Sequence, residues 1–312
     1  MEKIKVLIYG AGAIGVYFGG KLVAAGHDVT FVDRPERVEA IRQGLQIRSN
    51  FDQNFTFTPQ AVDDPSSSGP QDLILVAVRA FHTYEIAMKL LPVLKPDSII
   101  ASLQNGLENE RILSDLVGPN LVIGCVPRFS GSLEGPCTLV QHAPAQLIYG
   151  EMDHQPSARM EWLSHVFAHA GLNHKISHNI TLEIWKNFIW NNSFNIISAV
   201  TRTSMAQILA CNVMAPTLEQ MMREVKQVAQ AEGVDIPIEV IEELKSEAAS
   251  LGNVKGRMLR DLESGQMPEL EPLSGILLKK AEQQGITLPV NQTLFNLMRL
   301  VMTNYNLPDE LG

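Results

Sequence analysis

Positive charge is in short supply in this chain. Among its 312 residues, 25 lysines and arginines face 34 aspartates and glutamates, a net charge of -9. A nucleic-acid backbone needs clustered lysine and arginine, so no nucleic-acid partner is expected. Cysteine is scarce too. Cys125, Cys137 and Cys211 lie far apart, form no CxxC pair and have no metal-ligand spacing, which points to reduced, buried thiols in a reducing compartment. No apolar run reaches the roughly 20 residues of a membrane helix. The chain enters its first strand at once, so no signal peptide is expected. The expectation is a cytoplasmic, soluble protein with no membrane partner. Ser-His-Asp order, HExxH and the P-loop are missing, and the eight histidines show no ligand spacing, so no metal site is expected.

What is present starts at residue 3. Residues 3–9 form a short apolar run that ends in Gly10-Ala11-Gly12-Ala13-Ile14-Gly15. A helical pattern follows (Val16, Phe18, Leu22, Val23), stopped by Gly26, and residues 29–32 then close on Asp33-Arg34. Strand, glycine turn, helix, strand and acid come in the order of a dinucleotide-binding βαβ unit. Gly10 permits the tight turn, and Gly12 lets backbone approach a pyrophosphate. Ala13 and Ile14 open the helix whose N-terminus attracts that group, and Gly15 lets helix pack on strand. A plain βαβ turn without a ligand is the alternative.

Residues 45–48 and 55–58 alternate apolar with polar, the mark of half-exposed antiparallel strands. Residues 72–78 and 98–103 are apolar on both faces and read as central parallel strands. Arg79 and Gln104-Asn105-Gly106 follow them directly, at the edge where open α/β sheets bind ligands. Arg79 there is a cofactor contact or a solvated arginine. Asn105 is a turn residue, or a carboxamide set against a nicotinamide or a substrate carbonyl. Strand candidates near Val122 and at 138–140 and 146–148 are expected on the far side of the same sheet, with a helix over 156–170. From Ile180 onward every periodic segment is helical: 181–199, 216–232, 238–250, 255–264, 272–284 and 291–303. The expected fold is α/β, a Rossmann-type dinucleotide-binding domain over 1–178 followed by an all-α domain over 179–312.

Glu183, Asn187, Asn191 and Asn195 recur every four residues and share one helix face, with Asn192 beside them. Asparagine costs a helix about half a kcal/mol relative to alanine. The carboxamides therefore bind a polar substrate, or bond to neighbouring loops and water. Further on, Asp261, Glu269 and Glu271 offer carboxylates that would orient a substrate hydroxyl or form a solvated acidic face. The apolar helix stripes would serve a homodimer or a core equally well.

Taken together, these residues resemble the ketopantoate reductase (2-dehydropantoate 2-reductase) family, nearly end to end. The marks are Gly10 to Gly15, Arg34 after the second strand, Gln104-Asn105-Gly106-Leu107, Trp185 with Asn191 and Asn195, and Met258-Leu259-Arg260-Asp261 leading to Glu269 and Gly275. The resemblance implies reduction of a small 2-keto acid, ketopantoate to pantoate, with NADPH. It implies that the glycines hold the pyrophosphate and Arg34 the 2′-phosphate. Asn105 would sit at the nicotinamide and substrate, Asn191 and Asn195 would bind substrate hydroxyl or carboxylate groups, and Glu269 would support the site. Four positions depart from the family. Its catalytic lysine, two residues after the tryptophan, is Asn187. A serine is Arg257, and a lysine is Arg79. Asp33 stands where an acid binds the ribose of NAD, which keeps NAD in contention.

In the family that lysine protonates the ketone oxygen, and an absent general acid costs roughly 10²- to 10⁴-fold in rate. Lys186 would replace it only if a π-bulge rewound the helix, because one helical residue is about 100° of rotation. Arg257 is the other candidate cation, suited to a different 2-keto acid. The missing lysine is equally what a non-catalytic NADP(H)-binding sensor would show.

Overall fold

The computed structural model describes residues 2–305 and 307. The chain divides into two compact units, one spanning 1–104 and 108–183, the other 105–107 and 184–312.

The first unit is α/β. β1 (Lys5–Tyr9) leads through the glycine turn into α1 (Ala13–Ala24), β2 (Asp28–Val32) and α2 (Pro35–Gln43). Next come β3 (Leu45–Ser49), β4 (Phe55–Phe57), β5 (Gln60–Val62), β6 (Leu73–Val76), α3 (Thr83–Leu90), β7 (Ile99–Ser102) and α4 (Asn109–Val117). The unit closes with β8 (Val122–Arg128), β9 (Gly131–Glu134), β10 (Thr138–Gln141), β11 (Gln146–Gly150), α5 (Ala158–His169) and β12 (His174–Ile176). Eight strands form one sheet in the order β12-β11-β8-β7-β6-β1-β2-β5. All its pairings are parallel except β8 with β11.

Side chains alternate across a strand, and both faces of this sheet are covered. Val6 and Ile8 pack with Val16, Phe18 and Leu22 of α1. Leu7 and Tyr9 pack on the other side with Ile86 and Leu90 of α3 and Leu113 of α4. The β1–β6 and β1–β2 pairings bring the glycine turn, Asp33 and Arg79 to one edge, the C-terminal one.

The remaining four strands form a separate sheet, β4-β3-β10-β9. The alternating segments at 45–48 and 55–58 do pair antiparallel, with Ile47 opposite Phe55. Residues 138–140 do not lie on the far side of the large sheet. They belong to the small one, parallel to β3 and antiparallel to β9. Leu139 is fully buried between half-exposed Thr138 and Val140, the one-sided pattern of a sheet with a wet face.

The second unit is helical. α6 (Ile180–Thr201) enters it after Glu183. α7 (Met205–Ala210), α8 (Ala215–Ala231), α9 (Glu239–Leu251), α10 (Arg257–Glu263), α11 (Ile276–Gln283) and α12 (Pro289–Asn304) follow. A π-turn over Glu271–Gly275 stands where an ordinary helix start was expected. Pro272 has no N–H to give the regular ladder, and a wider turn takes its place. One polar chain crosses the interior. Ser274 Oγ donates to Asn192 Oδ1, Asn192 Nδ2 to Asn291 Oδ1, and Asn291 Nδ2 to Glu224 Oε2, each at 2.7 Å. Glu224 also accepts from the backbone amides of Val290 and Asn291, so a carboxylate on α8 caps the start of α12. Among the described residues no helix is long and apolar enough to cross a membrane.

Candidate functional site

The three glycines of the first turn divide by what surrounds them. Gly10 has φ +103°, and a Cβ there would lie 2.8 Å from Val78 Cγ1 and 3.0 Å from the Ala77 backbone. A Cβ on Gly15 would collide with the carbonyl oxygen of Gly10. These two are dictated by packing. Gly12 is extended, caps α1, and a Cβ there would meet nothing within 4 Å. Open ground over the amides of a helix start, beginning at Ala13 and Ile14, is what a pyrophosphate requires. The turn therefore fits a dinucleotide.

Ala11, inside the turn, is held from both sides. Its N–H donates to Asp33 Oδ2 at 2.9 Å, and its carbonyl accepts from Arg37 Nη2 at 2.9 Å. Asp33 Oδ1 accepts from the amide of Arg34 at 2.8 Å, and Arg37 Nε lies 3.5 Å from Asp33 Oδ2. Arg34 itself points outward. Its side chain is 74% exposed and its partner, Glu36 at 3.4 Å, is almost as exposed. Sequence reading missed Arg37; the signal was its i,i+4 spacing from Asp33.

Arg79 lies three residues beyond β6 and caps a short 3-10 turn, its carbonyl accepting from Gln104 Nε2 at 3.3 Å. Gln104 also donates to Thr83 Oγ1 at 2.9 Å, which in turn donates to Asn109 Oδ1 at 2.9 Å. Gln104 is thus a buried tie between loop and helix. Glu183, still in the first unit, lies 3.9 Å from Arg128.

The second unit gathers most of the other candidates. Asn105 Oδ1 accepts from Asn187 Nδ2 and from Asn191 Nδ2, both at 3.4 Å. Asn191 Nδ2 also donates to Asn187 Oδ1 at 3.1 Å, and Asn195 Nδ2 to Asn191 Oδ1 at 3.0 Å. Asn195 Oδ1 accepts from the amide of Arg257 at 2.7 Å. Arg257 Nη1 then lies 3.6 Å from Glu269 Oε2, the arginine side chain 35% exposed and the carboxylate 4%. The result is one connected polar row, Asn105–Asn187–Asn191–Asn195–Arg257–Glu269. Asn192 is not part of it. One helical step turns that side chain into the core network.

Lys186 stands apart. Its place in the chemistry depended on a rewound helix, but α6 is unbroken α-helix from Ile180 to Thr201, so that condition is not met. The second unit's π-turn lies instead at Glu271–Gly275, two residues beyond Glu269. Among the described residues no group of three or more His, Cys, Asp or Glu side chains could hold a metal.

Known proteins resemble this chain over nearly its whole length. The model of ketopantoate reductase PanE/ApbA matches residues 6–154, and the model of that protein's C-terminal part matches residues 179–302. The chain belongs to the ketopantoate reductase family. It is 30% identical over 299 residues to the 2-dehydropantoate 2-reductase of Archaeoglobus fulgidus, covering 96% of this chain and 98% of the relative. The 2-dehydropantoate 2-reductase of a Nostoc species is 28% identical over 308 residues, 96% of each chain. A crystal structure of a PanE/ApbA family ketopantoate reductase from Ralstonia eutropha matches with a TM-score of 0.89 at 30% identity, covering 97% of this chain and all of the other. Ketopantoate reductases are oxidoreductases that bind a nicotinamide dinucleotide and act on a small keto acid.

Proposed function

We propose that the chain reduces a 2-keto acid with NADPH, with ketopantoate to pantoate, a step toward pantothenate, as the leading reaction. The observation that carries this reading is the polar row from Asn105 to Glu269. Its neutral donors and acceptors run to Arg257, whose backbone amide meets Asn195 and whose guanidinium faces Glu269, groups suited to a small hydroxylated carboxylate. In this reading the turn at Gly10, Gly12, Ala13, Ile14 and Gly15 cradles the pyrophosphate, and Arg34 and Arg79 meet cofactor phosphates. Asn105 orients the keto group, Asn191 and Asn195 hold hydroxyl or carboxylate oxygens, and Arg257, steadied by Glu269, anchors the carboxylate. Residues 1–178 would serve the cofactor and 179–312 the substrate, a division supported by the second family model beginning at residue 179.

When bound, the reduced nicotinamide supplies a hydride to the keto carbon. The carbonyl electron pair moves to oxygen, which must then gain one proton. Asn187, standing where the resemblance expects a lysine, would give up no proton at neutral pH, so the proton would come from solvent and the chemical step would be slower than with a lysine.

Asn187 also favours a second reading, in which the chain binds NADP(H) as a sensor or acts on another 2-keto acid. NADPH oxidation over a panel of 2-keto acids separates these. Turnover with ketopantoate supports the leading proposal, turnover with another member redirects the substrate, and tight NADPH binding without turnover on any member leaves the sensor.

A further inference from the structure

The corner where β2 meets α2 presents an apparent conflict, an acid and an arginine side by side. An unconstrained aspartate at the end of β2 would accept hydrogen bonds from ribose hydroxyls and repel a 2′-phosphate, and so would select NAD. Here both carboxylate oxygens of Asp33 are already in use. Oδ2 receives the Ala11 amide at 2.9 Å and Oδ1 the Arg34 amide at 2.8 Å. Arg37 closes the arrangement from the next helical turn. Its Nε is 3.5 Å from Asp33 Oδ2, buried, and makes no hydrogen bond. Its Nη2 is fixed to the carbonyls of Ala11 at 2.9 Å and Pro136 at 3.3 Å. Both side chains are largely covered, 20% exposed for Arg37 and 13% for Asp33, so the pair is poorly screened by solvent. Arg34, 74% exposed, has among the described residues only a surface pair with Glu36 to give up.

We infer that Arg37 sets the cofactor preference of this chain. It cancels the charge of Asp33 and holds the carboxylate against the glycine turn, which leaves Arg34 to take a 2′-phosphate unopposed. Arg37 is a positioning residue, since it acts through Asp33. The inference rests on the proposal that the first unit binds NADP(H).

The test is a titration of the purified full-length protein with NADPH and with NADH, read by nicotinamide fluorescence, so that no turnover is needed. Wild type is expected to bind NADPH more tightly. Arg37→Gln should lower the ratio of the two affinities by about 10-fold or more, the usual scale for exposing a charge beside a ligand charge. The double variant Asp33→Asn/Arg37→Gln should recover the preference, because the repelling charge is gone. A role confined to bracing the turn would weaken both dinucleotides alike and would not be rescued by Asp33→Asn. That outcome, or an unchanged ratio in Arg37→Gln, overturns the inference. Should Arg37→Gln fail to fold, Arg37→Lys serves in its place; it keeps the charge and should keep the preference, and loss of the preference would count against the inference. Wild type binding NADH more tightly overturns the inference but leaves dinucleotide binding standing, whereas wild type binding neither removes the functional proposal beneath it.

Discussion

Asn187 donates to the carboxamide oxygen of Asn105 at 3.4 Å and accepts from Asn191 at 3.1 Å, so the position where the resemblance expects a lysine holds a link in a chain of neutral amides. The substitution is not a simple loss. A half-buried lysine there would carry a charge into the row, whereas asparagine satisfies two carboxamide neighbours without one.

Asn187→Lys is therefore expected to raise turnover toward the roughly 10²- to 10⁴-fold that a general acid supplies. Lys186→Ala should leave it unchanged, because α6 keeps its regular winding past that residue. Initial rates of NADPH oxidation with ketopantoate check both; a large drop in Lys186→Ala would place the proton donor at Lys186 after all.

The glycine turn yields a sharper separation. Gly12→Ala adds a methyl where nothing stands within 4 Å, and its backbone is already one that alanine adopts. It should fold with an unchanged melting temperature yet lose at least about 10-fold in dinucleotide affinity, because the methyl takes the ground of the pyrophosphate. Gly15→Ala meets the Gly10 carbonyl and should lower the melting temperature as well. Thermal unfolding and NADPH titration on the two variants check this, and equal affinity in Gly12→Ala would show that the open ground is not a binding site.

Glu110, at the start of α4, has its carboxyl pushed up to about 8, chiefly by complete burial. The folded state holds a proton that the unfolded chain releases near its ordinary value of 4.5. Its contribution to stability is thus full below about pH 4.5 and is lost as pH rises through about 8, at up to roughly 1.4 kcal/mol per pH unit. Glu110→Gln should flatten that decline. Denaturant unfolding between pH 5 and 9 measures it; parallel curves for wild type and variant would contradict the assignment.

Local features of the sequence were legible because their partners are close in the chain. The β1–turn–α1–β2 unit, with Gly10, Gly15 and the stop at Gly26, carries its geometry in about thirty residues. The four-residue spacing of Asn187, Asn191 and Asn195 likewise anticipated one face. Non-local pairing was not legible. Nothing near Leu139 announces that its partner is Ile47, ninety-odd residues back, so a separate four-stranded sheet could not be read. Asn191 and Asn192 are identical in type and adjacent in sequence. Only the packing of α6 decides that one joins the polar row and the other the buried chain to Ser274 and Asn291. Asp33 was read as a ribose ligand by position alone, and its bond to the Ala11 amide depends on how β2 lies beside β1.

The central claim is hydride transfer from a nicotinamide to a 2-keto acid. Its most direct test is a single-turnover reaction of the wild-type protein with ketopantoate and NADPH deuterated at both C4 positions, with the product examined by mass spectrometry and NMR. The expected result is pantoate carrying one deuterium at C2, formed in step with loss of the nicotinamide absorbance. Bound NADPH that keeps both deuterons, with ketopantoate and every other 2-keto acid tried recovered unchanged, would contradict it.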